Sequence, residues 1–340
     1  MTVILITGAT GLIGFRILLA ALEAGYTVRY IARSVEKALA VTSNPAIQKL
    51  ALDDNRLSSV IIPDPTADGA FDAALQGVTH VIHAGSPVPV HDGPDPTTQV
   101  FQPTLKMSSN LLASALKVPT LKRVVITSSI HGNSPFEGPS TTPVTGPSRL
   151  PLPNPVPSTF ANGPEAYVFA KIIQLHDSDE FVKTHNPHFA ISHIMPGYVF
   201  GRNELALDAT MMQLQNSTNA FLMAGILGNE PSMPLHEAFA HVDDVADVHL
   251  KVAFLDFQAE PKDFGVTSKV DYSTIFGHVK KAFPEAVASG VFKEAKFPSM
   301  PINYDSSESE KLLGRKFKTF ETAVVDVASQ YLEKLGKRKA

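Results

Sequence analysis

The stretch Val3-Ile4-Leu5-Ile6-Thr7-Gly8-Ala9-Thr10-Gly11-Leu12-Ile13-Gly14 decides the fold. A short apolar, β-branched run, Val3–Thr7, enters a turn with glycine at every third position and emerges into a segment of helical period, Leu12–Ala24. Glycines so placed permit a tight turn, close approach of backbone to a pyrophosphate and close helix–sheet packing. The helix N-terminus adds unpaired N–H groups and the positive end of a dipole. Gly8, Thr10, Gly11, Leu12, Ile13 and Gly14 are therefore candidate dinucleotide contacts, because the motif stands on the first strand of a βαβ unit rather than alone. Gly25 suits the left-handed position that ends such a helix. The same apolar stretch reads neither as a signal peptide nor as a membrane span. It lacks a basic leader, is broken by its glycines and Arg16, and never reaches about 18 uninterrupted apolar residues.

Further along, short strands alternate with longer helical stretches: Thr27–Ala32, Ser59–Ile62, His80–His83, Arg123–Thr127 and Ala190–Met195 against Val35–Leu50, Thr97–Leu116 and Glu165–His185. That alternation predicts an α/β fold, a doubly wound parallel sheet of the Rossmann type, with right-handed crossovers placing helices on both faces. With 340 residues the chain exceeds the roughly 250–300 at which single cores stop growing. The expected organisation is a dinucleotide-binding domain over 1–195, a smaller substrate-binding lobe over 196–335 with about 239–256 returning to the first domain, and a tail at 336–340. Helical candidates in the lobe are Glu204–Met223, Tyr272–Phe283 and Phe320–Leu335. Residues 134–164 carry nine prolines and read as one long loop.

Composition narrows the classes. A net charge of −4 and an isoelectric point near 6.3 give no basic footprint, so no nucleic acid is expected as a partner. There is no cysteine, which removes disulfides, thiolate metal sites and a cysteine nucleophile. The twelve histidines are scattered, so no metal is expected. No membrane association is expected, and a cytoplasmic home fits.

Three further clusters carry chemistry. Arg33 stands after the second strand, where an NAD-preferring fold usually has an acidic residue on the ribose 2′-hydroxyl. A guanidinium there, with Lys37 in reach, complements a 2′-phosphate, so NADPH is favoured over NAD. Tyr167 and Lys171 stand four apart on one helix face. An ammonium beside a phenol stabilises phenolate, and the spacing predicts a tyrosine pKa lowered towards neutrality, suited to a general acid. Thr127-Ser128-Ser129 ends a strand at the sheet edge that faces the ligand crevice, so Ser129 is placed to hydrogen-bond a substrate carbonyl. His131 follows closely and is a substrate-side candidate, although a lone histidine in a turn is more often structural. His241-Val242-Asp243-Asp244 reads as a strand entering a helix capped by Asp243 or Asp244.

Taken together, Thr7–Gly14, His83-Ala84-Gly85-Ser86-Pro87, Thr127-Ser128-Ser129, Tyr167-x-x-x-Lys171, Pro196-Gly197-Tyr198-Val199-Phe200-Gly201 and His241–Ala246, in this order, resemble the extended short-chain dehydrogenase/reductase superfamily. The late Asp305-Ser306-Ser307 to Leu313-Gly314 segment extends the resemblance over nearly the whole chain. Arg33, and Met195 before Pro196, make the chain most similar to the branch of dihydroflavonol reductases, cinnamoyl-CoA reductases and fungal and yeast carbonyl reductases. The resemblance implies a Ser129–Tyr167–Lys171 triad, with Lys171 also holding the nicotinamide ribose. It further implies Asp64 and Pro65 beside the adenine, Ala84, Gly85, Thr127 and Ser128 lining the cofactor, and Pro196, Gly197 and Val199 against the nicotinamide. Ser86, Pro87, His131 and Tyr198 are the substrate-side candidates. Pro65 stands where the family usually has an aliphatic residue, and Thr104 where many members have asparagine.

The expected function is NADPH-dependent reduction of a small-molecule ketone or aldehyde with Tyr167 as general acid. The rivals are an epimerase or dehydratase of nucleotide-sugar type that keeps NAD(P) tightly bound, and a non-catalytic NADP-sensing regulator. Either a monomer or a homodimer is compatible, the latter through Gln99–Leu116 and Glu165–Lys183.

Overall fold

The computed structural model describes residues 2–53, 55–88, 95–135, 138–214, 217–231, 233–260 and 262–337. Part of the Pro-rich segment (136–137) and of the terminal tail (338–340) lies outside them. The first half gives strands β1 (Val3–Thr7), β2 (Thr27–Ala32), β3 (Leu57–Ile61), β4 (His80–His83), β5 (Arg123–Thr127) and β6 (Ala190–Pro196). Its helices are α1 (Leu12–Glu23), α2 (Val35–Thr42), α3 (Pro45–Gln48), α4 (Gln102–Ala115) and α5 (Gly163–His185). The rest supplies β7 (Tyr198–Phe200), α6 (Ala209–Gln213), α7 (Asn219–Ile226), β8 (Leu235–His236), β9 (Ala238–His241), α8 (Val242–Ala253), β10 (Phe264–Val266) and β11 (Ser268–Lys269). It ends in α9 (Ile275–Ala282), α10 (Pro284–Ala288), β12 (Ser299–Met300), α11 (Ser307–Leu313) and α12 (Phe320–Lys334).

Seven strands form one parallel sheet in the order β10-β6-β5-β4-β1-β2-β3. The chain therefore reverses direction across the sheet between β1 and β4, and ligands of doubly wound sheets bind outside the carboxyl ends of the strands at that switch point. Both faces are covered, so the strands read as continuous apolar runs rather than alternating ones. The period of two sorts them: Ile4 and Ile6 pack with α1 and α8 on one face, while Leu5, Val124 and Ile126 pack with α4 residues Leu111 and Leu112 on the other. A separate core, with Phe200, Leu222, Phe239, Tyr272, Val279 and Val327, holds the C-terminal elements together.

Several boundaries differ from the sequence reading for local reasons. The stretch 35–50 is two helices, since Pro45 disfavours helical backbone at the residue before it. Asn44 accordingly sits at ψ 134° and caps the second helix through the Ala46 N–H. The stretch 204–223 is also divided: Asp208 caps α6, and α7 begins at Asn219. The third strand starts two residues early, because Leu57 and Ser58 already pair with Val28 and Arg29. The helix after His241 is capped by neither aspartate. It starts immediately at Val242, so the His241 ring, accepting from the Asp243 N–H at 3.2 Å, is the cap. Asp243 and Asp244 fall in the first turn, where they bind Arg16, Lys318 and Arg315.

Candidate active site

The glycine turn is built from steric necessity. Gly8 sits at φ +75°, and a Cβ there would stand 2.6 Å from the Ala84 carbonyl carbon and the Gly85 nitrogen. At Gly14 a Cβ would meet the Gly8 oxygen at 2.2 Å, which fixes how closely α1 approaches the turn. Gly11 differs, because its Cβ would find only the Gly8 oxygen at 3.5 Å, an ordinary contact. The Thr7 hydroxyl ties the neighbouring strand end to this turn, with hydrogen bonds to the His83 ring at 2.7 Å and the Gly85 N–H at 3.0 Å. Burial pushes His83 down to about 3, which keeps it neutral.

The helices divide into those whose N-terminus a side chain caps and those, α1, α4, α7 and α9 among them, where none does. Ser34, Asn44, Asn162, Asp208 and Thr319 cap their helices with side-chain oxygens. At α1 the cap residue is Gly11, with no side-chain bond and no acidic residue in the first turn. Its terminal N–H groups and positive dipole end are thus left for a ligand. The cradle fits a dinucleotide pyrophosphate, with Thr10 exposed and Leu12, Ile13 and Gly14 in the first turn of the helix.

Arg33, at the end of β2, and Lys37, in the first turn of α2, are both exposed, and among the described residues neither makes an ion pair. Asp64 is exposed beyond β3, where its carboxylate accepts from the Thr66 N–H at 2.8 Å and the Thr66 hydroxyl at 2.6 Å, bonds that hold its pKa low. Asn110 of α4 anchors the same turn, donating to the Thr66 oxygen at 2.8 Å and reaching the Pro65 oxygen at 3.5 Å.

On the other side of the switch point, β5 delivers Thr127, Ser128 and Ser129. The Thr127 hydroxyl bonds His249 of α8 at 2.7 Å. Ser128 is fixed by its N–H on the Ile194 oxygen at 2.8 Å, and its buried hydroxyl has no partner among the described residues. Ser129 accepts the His131 N–H at 3.2 Å and lies close enough to the Tyr167 hydroxyl to favour its ionised form. Lys171, one turn beyond Tyr167 on α5, is buried with its ammonium 5.6 Å from the tyrosine ring centroid. It donates to the Thr127 carbonyl at 3.1 Å and to the Gln174 side chain at 3.2 Å. Gly8, Ala84, Ser129 and Pro196 thus close neighbouring strands at one sheet edge, with α5 presenting Tyr167 and Lys171 there.

One electrostatic expectation is overturned. Burial pushes the Tyr167 phenol up rather than down, and only Ser129 opposes it. The lysine ammonium stands 5.6 Å from the ring centroid, and burial lowers Lys171 itself to about 7.

Two of the substrate-side candidates, His131 and Tyr198, cluster beside Tyr167. The His131 ring lies 6.5 Å from the Tyr167 ring, 6.0 Å from Tyr198 and 5.1 Å from His236, all edge-on. Burial holds His131 down to about 3 and Tyr198 up to about 12. Gly197 is pressed between strands, its Cβ position 2.6 Å from the Thr267 hydroxyl and 2.7 Å from the Ala238 oxygen, and it fixes the bend from Pro196 into Tyr198 and the buried Val199. Ser86 is half-buried, 3.5 Å from the Thr104 hydroxyl, and Pro87 follows it into residues 89–94, which lie outside the described residues.

Sequence reasoning missed Gln174, His236 and His249. Gln174 lies three residues beyond Lys171 and so on its helix face, a signal that was available. The two histidines come from remote segments with no local signal. Among the described residues no cluster of histidine and acidic side chains suits a metal, and no helix is long and apolar enough to cross a membrane.

Comparison with known proteins agrees with this geometry. Residues 4–266 match the model of the NAD-dependent epimerase/dehydratase family. Ketoreductase CTB6 of Cercospora nicotianae is 34% identical over 98% of this chain and 95% of that protein. Cinnamoyl-CoA reductase CAD2 of Medicago truncatula is 27% identical over 98% of this chain and 96% of that protein. The structure of yeast methylglyoxal/isovaleraldehyde reductase Gre2, complexed with NADPH, superposes with a TM-score of 0.82 at 25% identity, covering 99% of this chain and all of that one.

Proposed function

The chain belongs to the NAD-dependent epimerase/dehydratase family, within the extended short-chain dehydrogenases/reductases, and on that premise we propose that it is an NADPH-dependent oxidoreductase that converts a small ketone or aldehyde to an alcohol. The relatives' names include NAD-dependent epimerase/dehydratases but more often ketoreductases, with a cinnamoyl-CoA reductase besides, which supports carbonyl reduction. One observation carries the reading: Tyr167 and Ser129 stand side by side, with Lys171 one turn away and bonded to the Thr127 carbonyl, at the sheet edge that also holds the glycine cradle.

The cradle of Gly8 to Gly14, the ends of β4 and β6, and Lys171 would hold the dinucleotide, with Arg33 and Lys37 on a 2′-phosphate. A nicotinamide so bound would supply hydride to a carbonyl carbon. The carbonyl oxygen is received by the two hydroxyls. Ser129, already accepting from the His131 N–H, orients it by donation, and Tyr167 gives it a proton. Because burial holds the phenol in its neutral form, the tyrosine waits as an acid, the state that reduction requires. The Lys171 ammonium then offsets the charge left on the phenolate oxygen.

Tyr167→Phe tests this directly. It should leave NADPH binding intact and lower kcat by about 10²–10⁴-fold, the range for a positioned general acid. An unchanged kcat on an active carbonyl substrate would remove the mechanism.

A further inference from the structure

An ammonium has three protons, and in Lys171 two are committed: one to the Thr127 carbonyl at 3.1 Å, one to the Gln174 amide oxygen at 3.2 Å. Gln174 is itself buried and fixed, for its amide nitrogen donates to the Ser108 hydroxyl on α4. Ser108 lies one turn beyond Thr104 on the same helix. Thr104 spends its hydroxyl on the Val100 carbonyl at 2.7 Å. The polar link from α4 to the lysine therefore runs through Ser108 and Gln174.

We propose that Gln174, pinned by Ser108, is a positioning residue for Lys171: by taking one ammonium proton in a fixed direction it leaves the third aimed towards Tyr167 and the reacting groups. The inference rests on the reductase reading above. The titratable groups around the lysine are Tyr167 on its own helix, His83 at the end of β4, and His131 after β5, with His249 of α8 behind Thr127. Burial keeps these three histidines uncharged at neutral pH, and burial alone lowers Lys171, with no acidic side chain opposing it. The ammonium is thus solvated by one backbone carbonyl and one neutral amide. A carboxylate in place of that amide would hold the charge to higher pH, and an apolar group would release it at lower pH.

The test is the pH dependence of kcat and kcat/KM for NADPH-linked reduction of an aldehyde or ketone accepted by the wild type, measured on the full chain. Wild-type reduction should fall as pH rises through the loss of the Lys171 charge. Gln174→Glu should move that limb up by about one pH unit or more. Gln174→Met should move it down and lower neutral-pH kcat about tenfold, the loss expected for one hydrogen bond to a charged group. Ser108→Ala should act in the same direction as Gln174→Met but less, and with Gln174→Glu it decides the matter if the methionine variant does not fold. Limbs that coincide with wild type in both decisive variants would overturn the inference while the reductase reading stands. A wild type inactive on every carbonyl tested would overturn both.

Discussion

The nucleotide side and the substrate side of the cleft are made in different ways. The first is backbone: Gly8 and Gly14 leave no room for a Cβ, and Gly85 reaches the turn from 78 residues away through the Thr7 hydroxyl. The second is side chains, with His131, Tyr198 and His236 meeting edge-on around Tyr167 from three separate segments. A site made of backbone forbids nearly every residue but glycine, so it writes a local pattern into the sequence. A site made of ring contacts accepts many residues at each position, so it writes almost none.

Experiments can break this contrast or sharpen it. Gly14→Ala places a Cβ 2.2 Å from the Gly8 oxygen and should weaken NADPH binding at least about a hundredfold, some 2.8 kcal/mol, by titration. Gly11→Ala should fold normally, so any loss of affinity in that variant belongs to the ligand's side of the turn. Asp263, buried between His193 and Arg149 with contacts of 2.9 and 2.5 Å, is held down to about 2. Asp263→Asn leaves the buried face of Arg149 underpaired and should cost about 3–5 kcal/mol in chemical denaturation. Because the folded pKa lies below that of the unfolded chain, this stability is fully present above about pH 4 and is lost as pH falls through about 2. Arg33→Ala should raise the NADPH dissociation constant about tenfold or more, as for a lost charge-assisted pair of about 1.5–3 kcal/mol, with NADH binding unchanged. An equal effect on both nucleotides would remove the 2′-phosphate assignment. Smallest, His131→Leu should change KM for the carbonyl about three- to tenfold, the scale of one aromatic contact of about 0.5–1.5 kcal/mol, with NADPH affinity unchanged.

The parallel sheet was legible in sequence because buried strands require uninterrupted apolar runs, and four of the six strands read from the first half carry the bounds expected. Helix interruptions were less legible. Pro45 lies inside the stretch that reads as one helix, and it moves Asn44 out of helical backbone without interrupting the apolar period. The His241 cap was hidden for another reason: a histidine ring does here what an aspartate normally does, while the neighbouring aspartates are taken up by arginine and lysine from distant segments. The Tyr167–Lys171 spacing pointed to the pair but not to the direction of the phenol's pKa. That direction depends on how deeply the fold buries the phenol, which no spacing rule records.

The Pro-rich segment is fastened at its middle. The Asn133 amide donates to the Thr145 and Gly146 carbonyls at 2.9 and 3.2 Å, Val144 bridges to Tyr304, and a Cβ on Gly146 would stand 2.2 Å from the Asp263 oxygen. Arg149 adds its ion pairs to Asp179 and Asp263. With that rivet in place the part of the segment beyond Arg149 is a second, short hoop of its own, which can vary in length without disturbing what precedes the rivet. Grafts or insertions across 151–158 should therefore leave the Ser129 end of the cleft intact, which makes the second hoop a natural place for an engineer to swap sequence and for divergence to accumulate.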